Sequence, residues 1–257
     1  MILEIKNLSV TYPKVKALDN VSFSLAKGEV LGIVGESGSG KSTFAYSTLG
    51  LLADSAKRSG EIIFNSQRLL MLDDKKFQAI RGNKIGLIMQ EPASGFNPVL
   101  TIGYHFHELL IQKTDAKSLK ERNKIILDCF SMVHLPQGER MLKSYPHQLS
   151  GGQLQRASIA MAISLKPDIL IADEPTSSLD VTIESQIINL FKELSGNLNI
   201  AVVFITHNLN LVKALCQRAV VLCSGQVKEI AEIDTLFAEP KDDYTKSLLA
   251  AFKETNE

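Results

Sequence analysis

Apolar positions in the first third of the chain recur in the short rhythm of strands. Residues 3–11 alternate apolar with polar, and so do residues 21–25, the spacing of strands with one buried face. Residues 30–34, Val-Leu-Gly-Ile-Val, are apolar throughout, as a strand covered on both sides must be. A helix-like stretch follows at 44–52, then strand-like runs at 60–65 and 85–89. From about Thr101 to Ala162 the period turns helical, with segments near 103–112, 117–133 and 152–164. Regular alternation then returns. Strands are predicted at 169–172, 200–205, 219–222 and 227–231, helices at 181–195 and 209–216, and two short helices at the end.

Strands alternating with helices predict an α/β fold whose main sheet is parallel and covered on both faces. An antiparallel β part is predicted at the N-terminus. The helical block breaks the alternation and reads as an inserted subdomain. The expected organisation is one domain over 1–257, with a core of 1–90 and 163–257 and an insertion at about 91–162. No internal repeat, low-complexity tract or Pro-rich linker interrupts it.

The sharpest chemical signal sits between the apolar run 30–34 and the first helix. It reads Gly35-Glu36-Ser37-Gly38-Ser39-Gly40-Lys41-Ser42-Thr43. Glycines let such a loop bend until successive N–H groups point inward at phosphate oxygens. The following helix adds the positive end of its dipole. In this strand–loop–helix setting Lys41 reaches outer phosphates and the Ser42 hydroxyl suits a Mg²⁺ ion. A second signal is the apolar run 169–172 ending in Asp173-Glu174. Carboxylates closing a buried strand are costly without a task. At the carboxyl end of a parallel strand they face the phosphate loop. Asp173 then suits the Mg²⁺ shell and Glu174 the polarisation of an attacking water.

A third motif is Leu149-Ser150-Gly151-Gly152-Gln153, followed by Leu154-Gln155-Arg156. Ser150 is placed to cap a helix, and the glycines bare N–H groups at its positive end. One chain thus carries two phosphate-binding devices, which is explained if the second serves a nucleotide held by another subunit. With these motifs the chain resembles, along essentially its full length, the ATP-binding subunit of an ABC transporter.

The resemblance implies a P-loop ABC ATPase fold, with ATP and Mg²⁺ as ligands. Tyr12 matches an aromatic that stacks on adenine. Gln90 matches a glutamine that touches Mg²⁺ and the attacking water, and His207 a histidine that senses the γ-phosphate. Ser178-Leu179-Asp180 matches a segment bridging two active sites. Catalysis would then fall to Glu174, His207 and Gln90. Nucleotide contacts would come from residues 35–43 and Tyr12, and from Ser150, Gly151, Gly152, Gln153 and Asp180. Metal contacts would come from Ser42, Gln90 and Asp173. The implied partners are membrane permease subunits, a second, related ATPase subunit (with an identical copy as the alternative), and indirectly an extracytoplasmic solute-binding protein. The implied station is the cytoplasmic face of the membrane.

Residues 90–98 and 173–182, with the tail Tyr244-Thr245-Lys246-Ser247-Leu248-Leu249, resemble the dipeptide, oligopeptide and nickel importers. Asp243 stands where those tails carry proline. Peptide-importer subunits usually continue past this point, often with cysteines, whereas this sequence stops at Glu257. That brevity directs the expectation to nickel or a metal chelate, with peptides as the alternative.

Composition narrows the remaining classes. The 257 residues carry 28 Lys plus Arg against 28 Asp plus Glu, without the basic surplus of a nucleic-acid binder. No apolar run reaches the ~18 residues of a membrane span, and residues 1–6 do not read as a signal peptide. Cys129, Cys216 and Cys223 read as buried, reduced thiols. His105 and His107 are two apart and would diverge on a helix, so direct metal binding is not expected. Sustained heptads and paired-cysteine modules are absent from the sequence, which counts against chromosome-organising and excision-repair ATPases. A single cassette counts against two-cassette translation factors. Intact Glu174 and His207 count against a non-catalytic regulatory cassette.

Overall fold

The computed structural model describes residues 1–136 and 138–256. The chain begins with β1 (Leu3–Tyr12), β2 (Val15–Leu25), β3 (Val30–Val34) and α1 (Lys41–Thr48). Next come β4 (Lys57–Phe64), β5 (Gln67–Arg68), α2 (Asp74–Ile80) and β6 (Ile85–Ile88). Four helices follow: α3 (Ile102–Lys113), α4 (Leu119–Met132), α5 (Gly138–Lys143) and α6 (Gly151–Ile163). The last part runs β7 (Ile169–Asp173), α7 (Val181–Leu198), β8 (Ala201–Thr206), α8 (Leu209–Leu215), β9 (Arg218–Cys223), β10 (Gln226–Glu232), α9 (Ile233–Ala238) and α10 (Asp243–Asn256).

Two sheets result. An antiparallel sheet has the order β2-β1-β4-β5. A six-stranded sheet has the order β10-β9-β3-β8-β7-β6, parallel except for β10 at its edge. Every residue of β3, β7 and β8 is buried. Alternate residues of these strands serve opposite cores, because strand side chains change face at each step. Val30, Val34, Leu170, Val202 and Phe204 pack with the helices α3 to α8, and α6 and α7 dominate that side. Leu31, Ile33, Ile171, Val203 and Ile205 pack with the antiparallel sheet and α1. Phe106, Leu110, Ile126 and Phe130 of the helical block join the first of these cores.

Some elements depart from the sequence expectation. The first helix starts at Lys41, directly after Gly40 in a left-handed conformation (φ 104°), and stops short of residue 52. β2 begins six residues before the alternation at 21–25 became legible. α2, α5 and β5 were not anticipated; α2 is held by Asp73, whose side chain accepts from Lys76 N at 2.9 Å. Cys129 and Cys216 are buried, whereas Cys223 is only half-buried, and all three are free thiols. Burial pushes the Cys129 thiol up to about 12 and raises that of Cys216 as well.

Phe204 is fully buried in β8 and meets Phe191 of α7 edge-on, with ring centroids 5.5 Å apart. Phe204→Ala removes that contact and leaves a void between sheet and helix. The expected cost is about 3–5 kcal/mol, read from urea unfolding of the purified chain.

Candidate functional site

The phosphate loop hangs between β3 and α1. Left-handed backbone at Gly38 (φ 79°) and Gly40 (φ 104°) turns it back on itself, a conformation that side chains disfavour. Gly40 is also closely packed: a Cβ there would stand 2.5 Å from Ala17 O and 2.8 Å from Leu18 Cδ2. Lys41 is 5% exposed, and its Nζ donates to Gly35 O at 2.8 Å and Glu36 O at 2.9 Å. Burial lowers its pKa, and the charges of Glu174 and Asp173 oppose that shift. The ammonium is therefore held inside the loop it closes. The Ser39 hydroxyl is buried without a partner.

Three neighbouring parallel strands deliver the rest of the site at their carboxyl ends. Asp173 closes β7 and is 3% exposed. Burial raises its pKa; a hydrogen bond with Ser42 works against this, Glu174 adds to it, and Lys41 opposes it. Asp173 Oδ1 is buried and unpartnered. Glu174 follows with a left-handed φ of 45°, a strained setting for a residue with a side chain. Its main-chain N–H donates to Ile205 O at 2.9 Å. Gln90, just past β6, donates from Nε2 to Glu174 Oε2 at 3.2 Å. His207, just past β8, sets Nδ1 3.2 Å from Glu174 Oε1. The carboxylate is thus clasped from both sides, and its side chain is 17% exposed.

Most of these groups share one cleft of about 980 Å³, whereas buried Asp173 is not among its lining residues. Glu36, Gly38, Lys41, Ser42, Gln90, Glu174 and His207 line it. The sequence reading missed Val15, Lys16 and Ala17 of β2, and the Ser224-Gly225 turn, which line it too. Gly225 N donates to Ser39 O at 3.0 Å, and Asp19 N donates to Gly225 O at 2.8 Å. The Ser-Gly pair does signal a turn, but only the order of strands brings that turn beneath the loop. Tyr12 pairs with Val15 across the β1–β2 hairpin and packs, half-buried, on the core of the antiparallel sheet. It is not among the residues that line this cleft. The donor set fits a hard divalent cation: a hydroxyl at Ser42 beside a buried carboxylate oxygen without a partner at Asp173.

Ser150, Gly151, Gly152 and Gln153 lie outside the cleft. Ser150 caps α6: its Oγ accepts from Gln153 N at 3.3 Å, while Gln153 Oε1 accepts from Ser150 N at 3.0 Å. This reciprocal box fixes the first turn of the helix. The turn rests on α7, since a Cβ on Gly152 would lie 2.8 Å from Ile183 Cγ2. Asp180 caps α7 by accepting from Ile183 N at 3.0 Å. Arg156 ties α6 to its neighbours, donating to Val133 O at 2.7 Å and Gln186 Oε1 at 2.9 Å. The Ser150 segment and Asp180 therefore form a second station next to each other.

His105 is committed to the main chain: Nε2 accepts from Asn97 N at 2.8 Å and Nδ1 lies 2.8 Å from Thr101 O. Burial lowers the pKa of His107, and Arg122 adds to that. Among the described residues no group of three His, Cys, Asp or Glu side chains is placed to hold a metal ion.

Comparison with known proteins follows the same lines. The ABC transporter family model matches residues 18–177. The chain is 42% identical over 253 residues to the dipeptide transport ATP-binding protein DppD of Lactococcus lactis, a match covering 96% of this chain and 72% of that one. It is 41% identical over 256 residues to the oligopeptide transport ATP-binding protein AppD of Bacillus subtilis, covering 97% and 78%. Among solved structures it resembles the dimeric cassette MJ0796 bound to ADP and Pi. That match has a TM-score of 0.80 and 33% identity, and covers 90% of this chain and 98% of the other.

The two glycines of the loop separate strain from crowding. Gly38 has open space at its Cβ position, so Gly38→Ala costs only the backbone conformation, about 1–2 kcal/mol. Gly40→Ala adds overpacking against β2, a further ~1–3 kcal/mol. Urea unfolding of both variants should rank Gly40→Ala as the less stable.

Proposed function

The chain belongs to the ABC transporter family, as an ATPase that powers transport, and from that premise we propose that it drives the uptake of dipeptides or oligopeptides. The observation that carries the chemistry is the Glu174 carboxylate held between Gln90 and His207 in the cleft of the phosphate loop. What supports the cargo is the kinship with DppD and AppD, at 42% and 41% identity over nearly the whole chain. Nickel or a metal chelate rested on where the sequence stops, which says nothing about cargo. Peptides therefore take its place.

The cleft residues divide the work of phosphoryl transfer, which is mostly positioning and charge stabilisation. The loop N–H groups and Lys41 hold the β- and γ-phosphates of ATP. Glu174 accepts a proton from the attacking water, and Gln90 and His207 keep its oxygens aimed. Its strained backbone and double clasp leave it little freedom to turn away. Mg²⁺, held by Ser42 and Asp173 with Gln90 nearby, supplies positive charge against the phosphate oxygens when bound. Val15 and Ala17 offer an apolar wall beside the loop, and Tyr12 an aromatic ring next to it, for the adenine.

One pocket is incomplete without a second chain. The Ser150 segment presents N–H groups at the positive end of α6 yet stands away from its own cleft. It is assigned to the γ-phosphate of a partner cassette, either a related subunit or a second copy. ATP then joins the halves, and hydrolysis releases them. Among the described residues no helix is long and apolar enough to cross a membrane. Kinship with transport ATP-binding proteins supports separate permease subunits as the route of transport, with the ATPase at their cytoplasmic side and cargo chosen by a solute-binding protein outside.

Glu174→Gln keeps the shape of the clasp and removes the base. Turnover should fall by roughly 10² to 10⁴ while ATP still binds and paired cassettes accumulate; turnover at the normal rate removes Glu174 from its role. Cells lacking the chain should lose uptake of labelled dipeptides or oligopeptides and keep uptake of Ni²⁺. The reverse pattern returns the cargo to metal.

A further inference from the structure

Gln155 is buried to 1% exposure in the N-terminal half of α6, and its Nε2 has no hydrogen-bond partner among the described residues. Such a group is expensive: a buried amide donor left unmade loses its hydration and gains nothing. Around it the helix follows the ordinary rule, with Leu154, Ala157, Ile159, Ala160 and Ile163 all apolar and buried. An apolar side chain of the same size would suit this state of the molecule better.

Its surroundings say what the amide serves. Helical spacing puts Gln155 on one stripe with Ile159 and Ala162. Ala162 lies over β6, where a Cβ on Gly86 would approach its Cβ to 3.7 Å. α6 also packs on the 3-10 turn Pro92–Gly95. The helix therefore runs from β6 at its C-terminal end toward the segment that leaves β6, which carries Gln90. Gln155 lies one turn from the Ser150 cap, in the half of the helix opposite the one that covers Gly86. Gln90 in turn holds Glu174.

We propose that Gln155 is a positioning residue that links the Gln90 segment to the Ser150 segment. Its amide lacks a partner here and donates to a main-chain carbonyl of the segment 89–96 in the ATP-bound, paired state. The bond forms only there, so it favours that state over the isolated chain. Removing the amide leaves nucleotide binding to a single chain intact and weakens closure and turnover. The inference rests on the two-chain reading given above.

Gln155→Met tests it, since methionine keeps the length and removes both polar atoms. The full-length chain is purified with the subunits that accompany it. Three quantities are read: the unfolding temperature without nucleotide, the affinity for ATP, and ATP turnover. ATP-driven pairing is measured in a Glu174→Gln background. The expected result is an unfolding temperature equal to or above wild type, unchanged ATP affinity, and turnover and pairing reduced at least about 5-fold. Turnover within twofold of wild type overturns the inference. So does a lowered unfolding temperature, which would show the amide already bonded in the resting chain. If ATP pairs neither protein, the shared-pocket reading fails and takes this inference with it. If ATP pairs both alike, only this inference fails.

Discussion

β6, β7 and β8 lie side by side and parallel, and the chain leaves all three at the same edge of the sheet. Their register sets Asp173 beside Ile205 and Val34 of β3 beside Thr206. Gln90, Glu174 and His207 each follow one of those strands by one or two residues. Three side chains scattered over more than a hundred positions thus meet within hydrogen-bonding distance, because main-chain ladders align the strands that carry them. The apolar residues of β3, β7 and β8 hold that alignment from both faces, and nothing in the cleft has to hold itself together.

Several local costs fall within the site. Glu174 keeps a left-handed backbone, Asp173 is a buried carboxylate with a free oxygen, and the Ser39 hydroxyl is unpartnered. Helix starts away from the cleft are locally satisfied in two cases: Ser118 with Glu121 and Ser150 with Gln153 build reciprocal caps. A strained backbone and a buried carboxylate with a free oxygen at this edge of the sheet suit pre-organised chemistry, since each would be relieved by a residue that could not do the work. Gln155, at some remove from the cleft, is likewise buried with an unpartnered amide.

The sheet was largely legible because β3, β7 and β8 are apolar at nearly every position, and few helices of a soluble chain are so. The long helices α3, α4, α6 and α7 were legible to within three residues from their period, and α6 also from its Ser150 cap. α2 and α5 are seven and six residues long, too short for a period to show. In the phosphate loop the motif placed Lys41 and Ser42 but not the start of the helix, which Gly40 sets by its backbone. What sequence could not give was adjacency. That Ser224-Gly225 and Val15 wall the same cleft as Gln90 follows from the neighbours β9-β3 and from β2, and no local pattern encodes those pairings. The half-exposure of Cys223 has the same origin, as it ends a strand at that rim.

The remaining asymmetry is the Ser150 segment, a capped helix start that lies outside the cleft of its own chain's phosphate loop. The account stands or falls on where that segment goes when nucleotide is present. The direct measurement is the structure of the ATP-loaded assembly with Glu174→Gln, resolved well enough to place Ser150 against each bound γ-phosphate. The account requires Ser150 of one cassette within hydrogen-bonding distance of the γ-phosphate held by the Lys41 loop of the other. A loaded, paired assembly with Ser150 facing solvent at both sites would contradict it.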